Sequence, residues 1–262
     1  LLLPFIIARK IESSKNIKID YILQCGDAGV FPDLSRLDRA TLIRSEFNRN
    51  ELGFNDFFTN ENAEARSILN MVDCPMICVR GNHEDHAYLD ELENKSQAPY
   101  YPVDYYKKIF IIKTGEVFAL SSENEKVNIM GIGRAGRENK KSLRFLQEYE
   151  RSKLHSLPKS SEIDVLITHD AAYGFDSLGF GMIEIREILD IFEPLYHFYG
   201  HTDSPFSLKT DENGYTSSVK VAEIKSISSP LPDGSIILLT WHSYDDNYIE
   251  KINNIDYENI NF

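Results

Sequence analysis

Four short apolar runs in this chain each end in side chains of one chemical kind. Asp27 follows the run 19–25 through Gly26, and Asn82 and His83 follow 76–80 through Gly81. His169 follows 165–168 directly, while His201 and Asp203 follow 195–199 through Gly200. Carboxylate, amide oxygen and imidazole are ligands for Mn, Fe, Zn or Ni rather than for soft thiolate chemistry. In open α/β sheets, ligands gather outside the carboxyl ends of the strands. If the four runs are parallel strands, these side chains share one rim. The glycines at 26, 81 and 200 allow the backbone to turn sharply and to approach an ion closely.

The pieces differ in specificity. Gly-Asp arises by chance about once in a chain of this length, whereas Gly81-Asn-His-Glu84 arises in roughly one such chain per thousand. Its place at a strand end, after Gly26-Asp27 and before His169 and Gly200-His201, makes coincidence remote. Asp170 reads as a turn residue. His86 reads as an exposed residue of the following helix, and His155, His197 and His242 as structural histidines. Arg80, Arg134 and Arg137 are candidate substrate-binding residues, because a guanidinium grips phosphate through two parallel hydrogen bonds. Two of them lie in Gly131-Ile-Gly-Arg-Ala-Gly-Arg137, a candidate anion nest.

Short apolar runs stopped by glycine and flanked by helical spacing predict buried parallel strands at 19–25, 76–80, 165–168 and 195–199. Further strands are expected at 108–113, 117–121 and 127–132. Helices are expected at 5–15, 35–46, 62–70, 86–95, 139–155 and 181–191. Near the end, 219–225 and 235–242 alternate with a period close to two around Pro232-Asp233-Gly234, which predicts an antiparallel hairpin. Strands alternating with helices, then a β-rich end, imply an α/β or α+β fold. Residues 1–262 read as a single domain. The long polar excursion at 31–70, with Phe54, Phe57 and Phe58 near its centre, reads as an insertion and a candidate lid.

Lys and Arg number 28 and Asp and Glu 41, for a net charge of −13. That balance opposes extended binding to nucleic acid or to an anionic membrane. It leaves room for a small phosphorylated substrate held by metal. No stretch approaches the apolar length that spans a bilayer. The leading residues lack the basic start and cleavage site of a secretory signal. Cys25, Cys74 and Cys78 form no Cys-x-x-Cys pair and read as reduced core thiols, which suits a cytoplasmic setting. The oligomeric state is not legible.

On Gly26-Asp27, Gly81-Asn82-His83-Glu84, His169 and Gly200-His201, the chain resembles the calcineurin-like metallophosphoesterases. The match spans about residues 19–245. The resemblance implies a four-layer α/β/β/α sandwich and a metal-dependent hydrolase of phosphomonoesters or phosphodiesters with two divalent metal ions. It implies that Asp27 bridges the ions and that Asn82, His169 and His201 complete one metal position. It implies that His83 protonates the leaving group while Glu84 holds or tunes His83. Two features depart from the family pattern. No Asp-x-His precedes Gly26, for which truncation ahead of residue 1 is the expected account. Asp203 stands where the family has a histidine, and is expected to serve the other metal position with Asp27. The alternative is a non-catalytic binding protein of the same fold with a degraded metal site.

Overall fold

The chain states why its first helix forms. In α1 (Leu3–Lys15), Pro4 sits in the first turn, where its missing N–H costs nothing. Phe5, Ile6, Ile7, Ala8 and Ile11 fall on the buried side. Asn16 ends the helix in the left-handed conformation, with its N–H bonded to the Glu12 carbonyl. The other helices are α2 (Arg39–Phe47), α3 (Ala63–Leu69), α4 (His86–Lys95), α5 (Glu148–His155) and α6 (Ile183–Phe192). Asn62 and Asp85 cap α3 and α4 by accepting from the Ala65 and Tyr88 N–H groups. This computed structural model describes residues 1–47, 55–122, 125–136, 142–224, 231–243 and 247–252.

One sheet holds β1 (Ile22–Gln24), β2 (Met76–Cys78), β3 (Tyr100–Pro102) and β4 (Ile109–Ile112) in the order β1-β2-β4-β3. Its β1, β2 and β4 run parallel and β3 antiparallel. The other holds β5 (Val117–Ser122), β6 (Glu125–Ile132), β7 (Val165–Thr168), β8 (Tyr196–Tyr199), β9 (Ser207–Thr210) and β10 (Ser217–Lys220) in the order β5-β6-β7-β8-β10-β9. Here β6, β7, β8 and β10 run parallel and the two edge strands antiparallel. A two-stranded ribbon pairs β11 (Ile237–Thr240) with β12 (Tyr248–Lys251).

Three apolar clusters show the layering. Ile77, Val79 and Ile112 of the first sheet pack with Ile129, Val165, Ile167 and Val219 of the second, so the sheets face each other. Phe5, Ile68, Leu69 and Leu89 from α1, α3 and α4 pack on the outer face of the first sheet. Leu154, Ile185, Ile188 and Leu189 from α5 and α6 cover the outer face of the second. The result is the expected four-layer α/β/β/α sandwich. Strands buried on both faces need no polar alternation, which is why β7 is Val-Leu-Ile-Thr and buried throughout. Among the described residues, no helix is long and apolar enough to cross a membrane.

Several expectations change. Among the described residues, the expected hairpin of 219–225 with 235–242 does not form as a strand pair. The turn at Pro232 exists, with the Ser235 N–H on the Pro232 carbonyl at 3.1 Å, and the Ala222 N–H reaches the Gly234 carbonyl at 3.1 Å, but among the described residues the flanking strands take different partners. Strand β10 lies between β8 and β9, and β11 pairs with β12. The alternation expected from 219 onward does not begin as a wet face against a dry one, since Ser218, Val219 and Lys220 of β10 are all buried. Strands β3 and β9 were not anticipated. The helix expected at 139–155 is shorter; 142–147 are non-helical, with a turn at 143–144 and Phe145 bridged to Ala135, and 137–141 lie outside the described residues. The helix expected at 35–46 divides into a 3-10 turn (Leu34–Arg36) and α2, because Asp38 captures the Ala40 and Thr41 N–H groups and starts a new helix. Phe57 and Phe58 are core residues rather than exposed lid contacts; Phe54 lies outside the described residues.

Candidate metal centre

The strands β1, β2, β7 and β8 end together, and the residues just beyond them converge. Asp27 and His201 both take positive φ, at 57° and 68°. Such a backbone is uncommon outside glycine and, at a converging site, is held by its surroundings. Two glycines make the approach possible. A Cβ on Gly81 would collide with the backbone and carboxylate of Asp27, and one on Gly26 with the His169 ring. The turn after β8 is tied from two sides. The Gly200 N–H bonds the His169 carbonyl at 3.1 Å, and the buried Lys220 ammonium bonds the Thr202 carbonyl at 3.0 Å.

The ligand atoms of Asp27, His169 and His201 lie within 4.8 Å of one another. The His169 Nδ1 is 2.8 Å from the Cys25 carbonyl, so that nitrogen donates and Nε2 keeps its lone pair. Around Nε2 stand Asn82 Oδ1 at 2.9 Å, His201 Nδ1 at 3.1 Å and Asp27 Oδ1 at 3.6 Å. Carboxylate, amide oxygen and imidazole lone pairs facing one another repel unless a cation lies among them. Ions of this class hold such ligands at about 2.0–2.2 Å, which sets neighbouring ligand atoms roughly 3–3.5 Å apart. The observed spacings fit. Burial, and then the neighbouring His169, lower the pKa of His201 and keep it in the neutral form that binds metal.

The calcineurin-like phosphoesterase sequence model matches residues 5–205. This chain belongs to that family. Phosphoesterases of this kind are metal-dependent hydrolases of phosphoric esters. No curated protein matches the chain significantly. Among solved structures, TT1561 of Thermus thermophilus is 15% identical, with TM-score 0.46, over 85% of this chain and 84% of its own. GAP50, the anchor in the inner membrane complex of Plasmodium, is 10% identical, with TM-score 0.46, over 97% and 84%.

Around this candidate centre the remaining expected residues fall in different places. His83 is half-buried beside it, with its N–H on Asp27 Oδ1 at 2.9 Å and its ring Nδ1 3.0 Å from Asp38 Oδ2. That ring contact is the first cause of a raised His83 pKa. Glu84 does other work than the resemblance implies. Its oxygens accept from the N–H groups of Ala28 at 2.8 Å, Val30 at 2.6 Å and Gly81 at 3.4 Å, which clamps the two ligand-bearing loops together. Burial, with Asp27 adding, raises its pKa to about 7. Asp203 is exposed and stands outside the cluster of Asp27, His169 and His201. Asp170 accepts from the Gly136 and Ala171 N–H groups, the turn role expected of it.

The arginines are corrected. Arg80 is buried, with its guanidinium on Tyr101, Asp90 and Glu93. Arg134 is fully buried, on Glu150, Asp90 and the Leu143 carbonyl. A buried guanidinium committed to internal acceptors is not presented to a substrate. Arg137 lies outside the described residues. His86, expected on the surface, is buried beside Arg134, and burial, then Arg134 and Arg80, pull its pKa down to about 3.

Sequence reasoning missed Asp38. It is 45 positions before His83 and follows no apolar run, so no local signal marks it. Burial opposes its charge, but hydrogen bonds from His83 and from Thr41 outweigh that and hold the carboxyl well below the usual carboxylate range.

Proposed function

We propose that this phosphoesterase hydrolyses mono- or diesters of small phosphorylated molecules. In this reading Asp27, Asn82, His169 and His201 hold a divalent metal and His83 is the general acid. The observation that carries it is the pair of contacts fixing His83 at the edge of the cluster, to Asp27 at 2.9 Å and to Asp38 at 3.0 Å. With Nδ1 committed to a carboxylate, Nε2 is the ring nitrogen left to give a proton to a leaving-group oxygen. Asp38 keeps the ring in that tautomer and favours its charged form. Asp27 orients the His83 backbone, and Glu84 locks the loops that carry Asp27 and Asn82. A bound metal supplies Lewis-acid polarisation of a phosphoryl oxygen and a more acidic water. A second ion, as in the family's pair, would share Asp27 and take Asp203. The neutral oxygen of Asn82 limits the negative charge of the site, so an anionic substrate is not repelled.

The test is hydrolysis of bis(p-nitrophenyl) phosphate and p-nitrophenyl phosphate with Mn²⁺, Zn²⁺, Ni²⁺ or Fe²⁺, beside His83→Ala, with metal stoichiometry from elemental analysis. Metal-dependent turnover that falls about 10²-fold or more in the variant, the scale of a lost general acid, supports the reading. One observation favours a second reading, a non-catalytic binding protein: Asp203 lies outside the cluster. A folded protein that turns over neither ester with any of these metals sinks the first reading in favour of the second.

A further inference from the structure

Arg80 and Arg134, two of the arginines expected to hold substrate, are used up inside the fold, yet in a chain of charge −13 a local cation beside the metal would help to accept an anionic ester. Arg144 is so placed. Its guanidinium is 3.2 Å from Asp38 Oδ1, while the other oxygen of Asp38 holds the His83 ring at 3.0 Å. One carboxylate therefore separates Arg144 from the proposed general acid. Unlike Arg80 and Arg134, whose side chains are 3% and 0% exposed, that of Arg144 is 38% exposed and faces solvent in part. Asp38 does not depend on it for its position. It also accepts from Ala40 N at 2.8 Å, Thr41 N at 3.1 Å and Thr41 Oγ1 at 2.6 Å. The guanidinium can leave Asp38 for another anion while His83 stays aligned.

Building on the phosphoesterase reading, we infer that Arg144 is a specificity-determining residue that grips the non-bridging oxygens of a phosphate bound beside His83, and so favours monoesters over diesters. The chemistry is charge and geometry. A monoester phosphate presents a second negative charge and one more free oxygen than a diester, and a planar guanidinium meets two such oxygens at once. A diester fills that oxygen with its second alcohol and gives the fork less to hold.

The experiment compares wild type, Arg144→Ala, Arg144→Lys and Asp38→Ala, all metal-loaded. It measures kcat/KM on p-nitrophenyl phosphate and on bis(p-nitrophenyl) phosphate, and the affinity for inorganic phosphate by calorimetry. Arg144→Ala is expected to lower monoester kcat/KM and phosphate affinity roughly tenfold to a hundredfold, the scale of a charge-assisted hydrogen bond, and to change the diester far less. Arg144→Lys, which keeps the charge without the fork, is expected to restore part of both losses. Asp38→Ala, which disturbs the ring itself, is expected to lower both substrates alike. Equal falls on the two esters in Arg144→Ala would mark a merely structural contact with Asp38 and overturn the inference, as would no change on either. Wild type inert on both esters and blind to phosphate with every metal would instead bring down the phosphoesterase reading, and this inference with it.

Discussion

Replacing Asp38 by alanine separates two jobs that the structure gives to one side chain. The first is orientation of His83 through the 3.0 Å contact with Nδ1. Without it the ring is free to turn and to take the other tautomer, and the proton on Nε2 is no longer assured. Loss of effective general-acid catalysis costs about 10²–10⁴ in kcat. The second job is local. Asp38 caps the start of α2 through Ala40 N, Thr41 N and Thr41 Oγ1, and losing a cap costs about 0.5–2 kcal/mol. The expected outcome is therefore a kcat at least about 100-fold lower, with substrate KM little moved, and a modest fall in the thermal midpoint. Asp38→Asn keeps the shape and much of the cap but presents an amide to Nδ1, so it should recover most of the stability and little of the rate. Steady-state kinetics on both p-nitrophenyl esters, beside calorimetric unfolding, reads the two effects apart. If Asp38→Asn keeps wild-type kcat, the orienting role assigned to Asp38 is refuted, whatever happens to stability.

Other predictions follow from buried charge. Arg134→Ala leaves the buried Glu150 carboxylate without its ion-pair partner, while Asp90 keeps Arg80, so chemical unfolding should show a loss of about 3–5 kcal/mol; a protein of unchanged stability but raised KM would return Arg134 to the substrate-binding role. His197 is buried against Thr168 and Ser218, and burial depresses its pKa to about 3. The unfolded chain, with a histidine near 6.5, therefore binds a proton that the folded chain refuses. Stability from this residue is whole above about pH 6.5 and declines as the pH falls toward 3, by about 2 kcal/mol at pH 5. His197→Asn should shrink the difference between urea midpoints at pH 7 and pH 5, and an unaltered difference would show that His197 is not the group responsible.

Both what was readable in the chain and what was not have physical causes. The buried strands were readable because β2, β7 and β8 lie between layers and need apolar side chains on both faces. The hairpin at 219–242 misled because period-two alternation reports a half-wet strand only when one face meets solvent. Strand β10 instead buries Ser218 and Lys220 by giving each a partner. Helix α2 was misplaced by a few residues because Asp38 captures backbone N–H groups locally, which composition does not show.

The candidate site divides the same way. Sequence alone determined that Asp27, Asn82, His83, His169 and His201 stand at strand ends, all but His169 behind a glycine, since a chain that turns sharply after an apolar run writes that turn into adjacent residues. Only the tertiary structure decided which charges are spent. The sequence marks Arg80 and Arg134 but not Arg144, and Glu84 is a nearer neighbour of His83 than Asp38 is. Yet a guanidinium or carboxylate acts according to the partners that folding brings to it from tens of residues away, and here those partners bury Arg80 and Arg134, commit Glu84 to backbone N–H groups, and leave Asp38 and Arg144 beside the histidine.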